Sequence, residues 1–410
     1  MCETGTEQPV DRAGASSFGL IVLLGALSAF SPLAIDMYLP AFPQMERELQ
    51  APPGTVPLTL SFFLAGLAIG QFIVGPISDR TGRRMPLFVG CAGFAGTALL
   101  CSIAPSVWWL LGARFLMGFS GAAGLVVSRA VVRDLFDESR SAGVYSFVMM
   151  ITGIAPVVAP LAGGAILAVG SWRSVFGALA GVGVACGVAV AFILAETLPA
   201  ERRSRRSVAA VLRRSVGILF EPRFVGYALA IGFTYGALFA YIAGSPAVFM
   251  EMYLLSPQEF SFVFASNAIG IFLAAQLNRM LLRRFDLHRI LRMASTVGAA
   301  AGGLLVVEAG SGAGGFPLFY VTLFICIATL GLIFPNATAA AMAPFAEEAG
   351  AASAVLGLLQ YAVGAAAGAA VGLLHTGTAL PMAATVATCE GLLWLVISVT
   401  ERWRRVMTKV

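Results

Sequence analysis

Twelve runs of roughly twenty apolar residues, each bounded by charge, proline or glycine, make up most of this 410-residue chain. They fall near residues 19–41, 56–76, 86–104, 107–128, 143–168 and 172–194, then 225–247, 259–280, 287–308, 316–340, 351–374 and 380–400. A helix needs about 20 such residues to cross a hydrocarbon layer about 30 Å thick, and among open segments only helices satisfy their own backbone there. With 59% hydrophobic and 11% charged residues, the chain could not hold its surface in water. The expectation is an all-α membrane protein with twelve transmembrane helices in two six-helix bundles.

The division into two comes from the longest polar stretch, which carries Arg202, Arg203, Arg205, Arg206, Arg213 and Arg214. The predicted layout is a tail over 1–18, a bundle over 19–194, a linker over 195–224, a second bundle over 225–400 and a tail over 401–410. A basic loop after the second run (Arg80, Arg83, Arg84) is echoed after the eighth by Arg279, Arg283 and Arg284, as a repeated six-helix unit predicts. If both termini are cytoplasmic, only Arg47 and Arg173 lie outside and Arg114 lies within a run; the rest of the 26 basic residues fall inside. That bias sets the orientation of multi-pass proteins. It also explains the net charge of +5 without a nucleic-acid partner. The first residues, with Glu3, Glu7, Asp11 and Arg12, lack the basic start of a signal peptide and read as a cytoplasmic tail.

Several chemistries are excluded. Lys409 is the only lysine, so no Walker A loop exists to hold ATP. His288 and His375 stand far apart, there is no G-x-S-x-G elbow, and an enzyme has little to stand on. Five of the six cysteines (Cys91, Cys101, Cys186, Cys326 and Cys389) fall inside apolar runs and Cys2 in the tail, which suits small fillers better than bridges. No metal and no cofactor are expected.

Three charges fall toward the bilayer centre: Asp36, Arg114 and Glu390. A charge at mid-bilayer costs about 2.5–3.5 kcal/mol, so each needs a cavity or a partner. Counted at about 1.5 Å per residue, Asp36 and Arg114 lie at similar depth, about 8 and 10 Å below the outer edge, and could share one polar pocket. There Asp36 would take either a proton or a cationic drug in competition, burial favouring the protonated form and the arginine the ionised one. The plainer alternative is a static ion pair joining the first and fourth helices. Glu390 reads either as a second proton carrier or, preferably, as a neutral glutamate hydrogen-bonded between helices.

The second run closes on Gly75, Pro76, Asp79, Arg80, Gly82, Arg83 and Arg84. This is either an ordinary basic turn or a gate in which Asp79 docks on the positive end of the eleventh helix near Gly350–Ser353. In the fifth run, Gly153, Pro156, Pro160, Gly163 and Gly164 allow close helix approach, and as a bend motif they would flex the interface of the halves. Tyr38, Gln71, Tyr235, Phe239, Tyr241, Asn267, Asn336, Gln360 and Tyr361 suit an amphipathic ligand cavity, although interhelical hydrogen bonding accounts for any one amide equally well.

These segments resemble a known family. Ile35-Asp36-Met37-Tyr38-Leu39-Pro40 with Pro43, Gly70-Gln71 leading to Asp79–Arg84, the fifth-run glycines and prolines, Gly244-Ser245-Pro246 with Ser256-Pro257-Gln258, and Pro335-Asn336-Ala337 are similar to the drug:proton antiporters of the major facilitator superfamily. Within these, the chain looks like the bicyclomycin and chloramphenicol/florfenicol resistance branch. The resemblance implies alternating access in a bacterial inner membrane, a small drug-like substrate, protons as co-substrate and a working monomer. It implies Asp36 as the proton or substrate site, with Arg114 coupled to it. Where that family often carries glutamine after the arginine, this chain has Met117-Gly118. An uptake symporter or a metabolite exporter of the same fold is the alternative.

Overall fold

The computed structural model describes residues 17–136, 138–204, 213–215, 217–345 and 349–407. Cys2, Glu3, Glu7, Asp11, Arg12, Arg205, Arg206 and Lys409, named above, lie outside the described residues. Among the described residues the backbone is helical throughout its ordered elements, with no strand. Eleven helices among the described residues are long and apolar enough to cross a membrane. A twelfth span is formed by a bent pair at the start of the chain, whose two parts meet at 41°.

That bend has a local cause. Helix α1 (Ser17–Ser28) gives way at Ala29 to α2 (Phe30–Asp36) because Pro32 brings no N–H to the Ser28 carbonyl. After Asp36 the chain turns through a short 3₁₀ segment at Leu39–Ala41, containing Pro40, into α3 (Phe42–Glu48), with Pro43 in its first turn. The expected single run 19–41 is therefore three short helices, and its prolines are what divide it. The remaining first-half helices are α4 (Thr55–Thr81), α5 (Arg84–Ser102), α6 (Val107–Leu135), α7 (Glu138–Val169) and α8 (Trp172–Ile193). The second half comprises α9 (Pro222–Pro246), α10 (Pro257–Leu281), α11 (Leu287–Ser311), α12 (Gly315–Met342), α13 (Ala349–Leu373) and α14 (Leu380–Met407).

Several helices overrun the apolar runs that predicted them: α6 passes residue 128 by two turns and α14 passes residue 400 by as much. Hydropathy reports where lipid ends, whereas the helix continues until a breaker such as Gly82 stops it. At the end of α9, Pro246 deprives the Ile242 carbonyl of its donor, and the Ser245 hydroxyl donates to that carbonyl at 3.1 Å before the chain widens into a π-helical turn at Ala247–Met252.

Packing repeats with a period of six spans. In the first half α4 lies on α6, and α5 on both α6 and α8; in the second, α10 lies on α12, and α11 on both α12 and α14. The halves meet through α4 with α13 and α7 with α10, two pairings that the same pseudo-twofold relation interchanges. Close approach rests on small residues: a side chain at Gly118 would strike the Phe63 carbonyl of α4. Large side chains such as Phe192 and Val169 face outward, as a lipid-solvated surface requires.

Candidate functional site

Between the halves lie two adjoining chambers of about 240 and 250 Å³ that share Ser31, Pro32, Thr152, Tyr235 and Tyr361. The inner chamber is apolar and aromatic, walled by Phe239, Tyr241 and Phe264, with Asp36 on one side. The other chamber extends toward the face that carries the arginine-rich loops and is lined by Gln71, Arg129, Ser353 and Gln360. Tyr235 is the hinge of the aromatic wall, with its ring centroid 5.8 Å from Phe239, 5.4 Å from Phe334 and 5.5 Å from Tyr361.

Asp36 reaches this wall because the last turn of α2 ends there. The residue is buried, its Oδ1 has no hydrogen-bond partner, and no ion pair engages it among the described residues. Arg114 lies elsewhere. Its guanidinium is enclosed by aromatic rings, 4.2 Å from the Tyr38 centroid, 4.4 Å from Phe63 and 5.7 Å from Phe176. One nitrogen donates weakly to the Met117 sulfur at 3.6 Å, while Nε and Nη2 lack partners. The pocket expected to hold Asp36 and Arg114 together is thus two sites. The depths agree, since Tyr38 touches the arginine, but positions two apart on a helix point about 200° away from one another. Tyr38 accordingly faces Arg114 and Thr59 (Oη to Oγ1, 3.1 Å), not the cavity, while Asp36 faces the chambers.

Of the other expected cavity residues, Gln71, Tyr235, Phe239, Tyr241, Gln360 and Tyr361 line the chambers. The Asn336 amide instead donates to Asn278 Oδ1 at 2.7 Å and ties α12 to α10. Asn267 donates to the Val263 carbonyl of its own helix at 3.0 Å.

At the arginine-rich face, Gly82 ends α4 with φ of 99°, a conformation suited to glycine. Arg83 is buried and forks to Asp79 at 2.7 Å, Asp134 at 2.8 Å and the Ser78 hydroxyl at 2.9 Å. The Glu196 carboxylate lies over the turn and accepts the N–H groups of Arg83 (2.8 Å), Arg84 (3.3 Å) and Leu198 (3.0 Å). Partial burial opposes ionisation there, yet these backbone donors hold the Glu196 carboxyl below its usual range. Arg84 donates to the Ala191 carbonyl at 2.6 Å, and Arg80 is exposed. Among the described residues the expected docking of Asp79 on the eleventh span is not present; its side chain pairs with Arg83. At the opposite face the halves touch directly. Gly164 lies against Ser261, and the Ser261 hydroxyl donates to the Pro160 carbonyl at 2.9 Å; within the first half, Gly163 admits the Met37 carbonyl where any side chain would collide. Helix α7 passes Pro156 and Pro160 unbroken, Gly153 has open space around it, and Gly75 is in ordinary contact with Val126.

The model of the Major Facilitator Superfamily matches residues 24–369. The chain belongs to that superfamily. An uncharacterized MFS-type transporter, YdgK of Bacillus subtilis, is 38% identical over 90% of this chain and 92% of its own. The bicyclomycin resistance protein homolog of Haemophilus influenzae is 32% identical over 91% and 94%. The multidrug resistance protein MdtL of Escherichia coli O157:H7 is 31% identical over 84% of each. Among solved structures, a bacterial homologue of the human lysosomal transporter Spinster matches in fold in two inward-facing states. The unoccupied state has a TM-score of 0.69 at 14% identity over 95% of this chain and 96% of that one; the occupied state has 0.70 at 15% over 94% and 97%. The protein is a multi-pass membrane transporter of the superfamily and not an enzyme.

The sites that sequence overlooked are those that tertiary packing creates. Asp134, Glu196 and Arg129 sat among other charges with nothing to single them out. Glu308 was taken as the end of a span, but it is buried and accepts the Thr322 hydroxyl at 2.8 Å. Glu390 is fully buried inside the second bundle against Gly298 and near Thr329, away from both chambers, and neither of its oxygens has a partner. The interhelical hydrogen bond expected of it is not formed.

Proposed function

We propose that this transporter is a proton-coupled exporter of small drug-like molecules, working by alternating access in a bacterial inner membrane with both termini in the cytoplasm. The observation that carries the reading is Asp36, a buried carboxyl without an ion partner on the wall of an aromatic cavity between the halves. Such a group has two ways to relieve its isolation. It can take a proton, or it can face a cationic or hydrogen-bond-donating group of a ligand, and the two exclude one another. That exclusion is the minimum requirement for exchange.

The arginine-rich loops favour placing their face in the cytoplasm. On that orientation the chambers open inward and the seam of α7 with α10 closes the outside. The cycle begins with drug entering from the cytoplasm while Asp36 is ionised. The halves then rock about the α4–α13 and α7–α10 contacts, and a proton from outside displaces the drug. The protonated carrier returns. One inward proton draws about 2.3 kcal/mol from each 100 mV of potential, enough to sustain roughly a 50-fold gradient of a neutral drug. The names of the Haemophilus and Escherichia relatives support bicyclomycin-type or other antibiotics as substrates, and phenicols share the required mixture of ring and polar groups.

The test uses purified protein in liposomes with an imposed pH gradient. The wild type should move labelled chloramphenicol or bicyclomycin against the proton flux, and Asp36→Asn should bind drug but lose gradient-driven movement by at least about tenfold. Transport by Asp36→Asn at the normal rate and with normal pH dependence would refute the assignment.

A further inference from the structure

The chambers have a polarity that the transport reading does not use. Of the described residues lining them, only Asp36 and Arg129 carry charge, one in each chamber. Both belong to the first half, but they lie far apart along the membrane normal. Arg129 is fifteen residues beyond Arg114 on the unbroken helix α6, about 22 Å toward the arginine-rich face, whereas Asp36 lies near the depth of Arg114. Arg129 is exposed, and no carboxylate faces it among the described residues of its chamber. The backbone of its turn is anchored, because the Tyr145 hydroxyl donates to the Arg129 carbonyl at 2.8 Å. Around it stand groups that orient a ligand without neutralising one: Gln71, whose Nε2 has no partner, Gln360, and the shared rings of Tyr235 and Tyr361.

We infer that Arg129 is a substrate-binding residue that selects amphipathic aromatic molecules bearing an anionic or strongly accepting head. The ring lies against Tyr235 and Tyr361 and the head points to the guanidinium. A cleft with one sign of charge and low-dielectric walls concentrates the opposite sign, and a guanidinium fork matches a carboxylate with two parallel donors. Molecules with a cationic head at that end are disfavoured for the same reason. The inference rests on the drug-transport reading but not on its proton step.

Binding of chloramphenicol and of its anionic ester, chloramphenicol succinate, to the full chain in phosphatidylcholine nanodiscs tests it by equilibrium dialysis. The wild type should prefer the ester by about fivefold at low salt, with the preference falling as salt is added. Arg129→Gln should bring the ratio of the two affinities to about one, and Arg129→Lys should keep part of the preference; matching gel-filtration profiles establish that the variants are folded. A ratio in Arg129→Gln equal to the wild-type ratio overturns the inference, as does a wild type that binds neither probe or prefers the parent. Loss of the preference on adding phosphatidylglycerol would assign Arg129 to lipid headgroups and also overturn it. If the ester preference holds while a pH gradient drives no flux, the proton reading fails and this one stands.

Discussion

Arg114 shows how a buried charge is accommodated without a counter-ion. Three aromatic rings surround its guanidinium, and contacts of this kind are worth up to about 2 kcal/mol each when water is absent. Two of its nitrogens nevertheless lack acceptors, and the third partner is only a thioether, a weak acceptor. Met117→Gln places an amide oxygen where that sulfur lies. A hydrogen bond to a charged group contributes about 1.5 kcal/mol or more, so the variant should melt a few degrees above the wild type in a detergent thermal-shift measurement. An unchanged or lower melting temperature would show that the aromatic cage leaves no room for the acceptor. Sequence identified Met117 as a departure and both charges as exceptional, because lipid makes every charge conspicuous. It did not separate Asp36 from Arg114, since depth along a helix is readable from residue counting whereas azimuth depends on the breaks that Pro32 and Pro40 introduce.

The turn between α4 and α5 is held by one carboxylate from the end of α8. Glu196 takes backbone N–H groups that the first turn of α5 cannot satisfy internally, and so joins the second, third and sixth spans at the arginine-rich face. Because the folded protein holds this carboxyl below its usual value of 4.5, its contribution is complete above that value and is lost as pH falls through the depressed one. Glu196→Gln should therefore melt lower than the wild type near neutral pH, and the two melting curves should converge as pH falls below 4.5 through the depressed value. Parallel curves across that range would remove charge from the explanation. The loop's arginines and glycines were legible as a turn at the membrane face, and Gly82 occupies the left-handed position expected of such a turn. The expected docking of Asp79 was not legible in the same way, because its choice between Arg83 and α13 depends on which face of the molecule is open.

Taken whole, the molecule is two similar bundles meeting along two seams, α4 with α13 and α7 with α10. The twelve spans and their six-and-six division could be read from hydropathy and arginine placement alone, because the bilayer imposes a length and a sidedness on each segment. Which helices meet across the interface could not, since small residues occur on many helix faces and only packing picks the ones used. The α7–α10 seam closes at Gly164, where an added methyl carbon would lie 3.0 Å from the Ser261 hydroxyl of α10. A door whose edge is bare peptide, fastened only by the Ser261 hydroxyl and the Gln258 amide among the described residues, has a light latch; equally, a single added carbon is a wedge. Gly164→Ala should hold the carrier ajar toward the far side, raising labelling of a cysteine introduced in that seam by a membrane-impermeant maleimide several-fold while turnover falls. Unaltered labelling would place the yielding point of the rocking motion somewhere other than this bare edge.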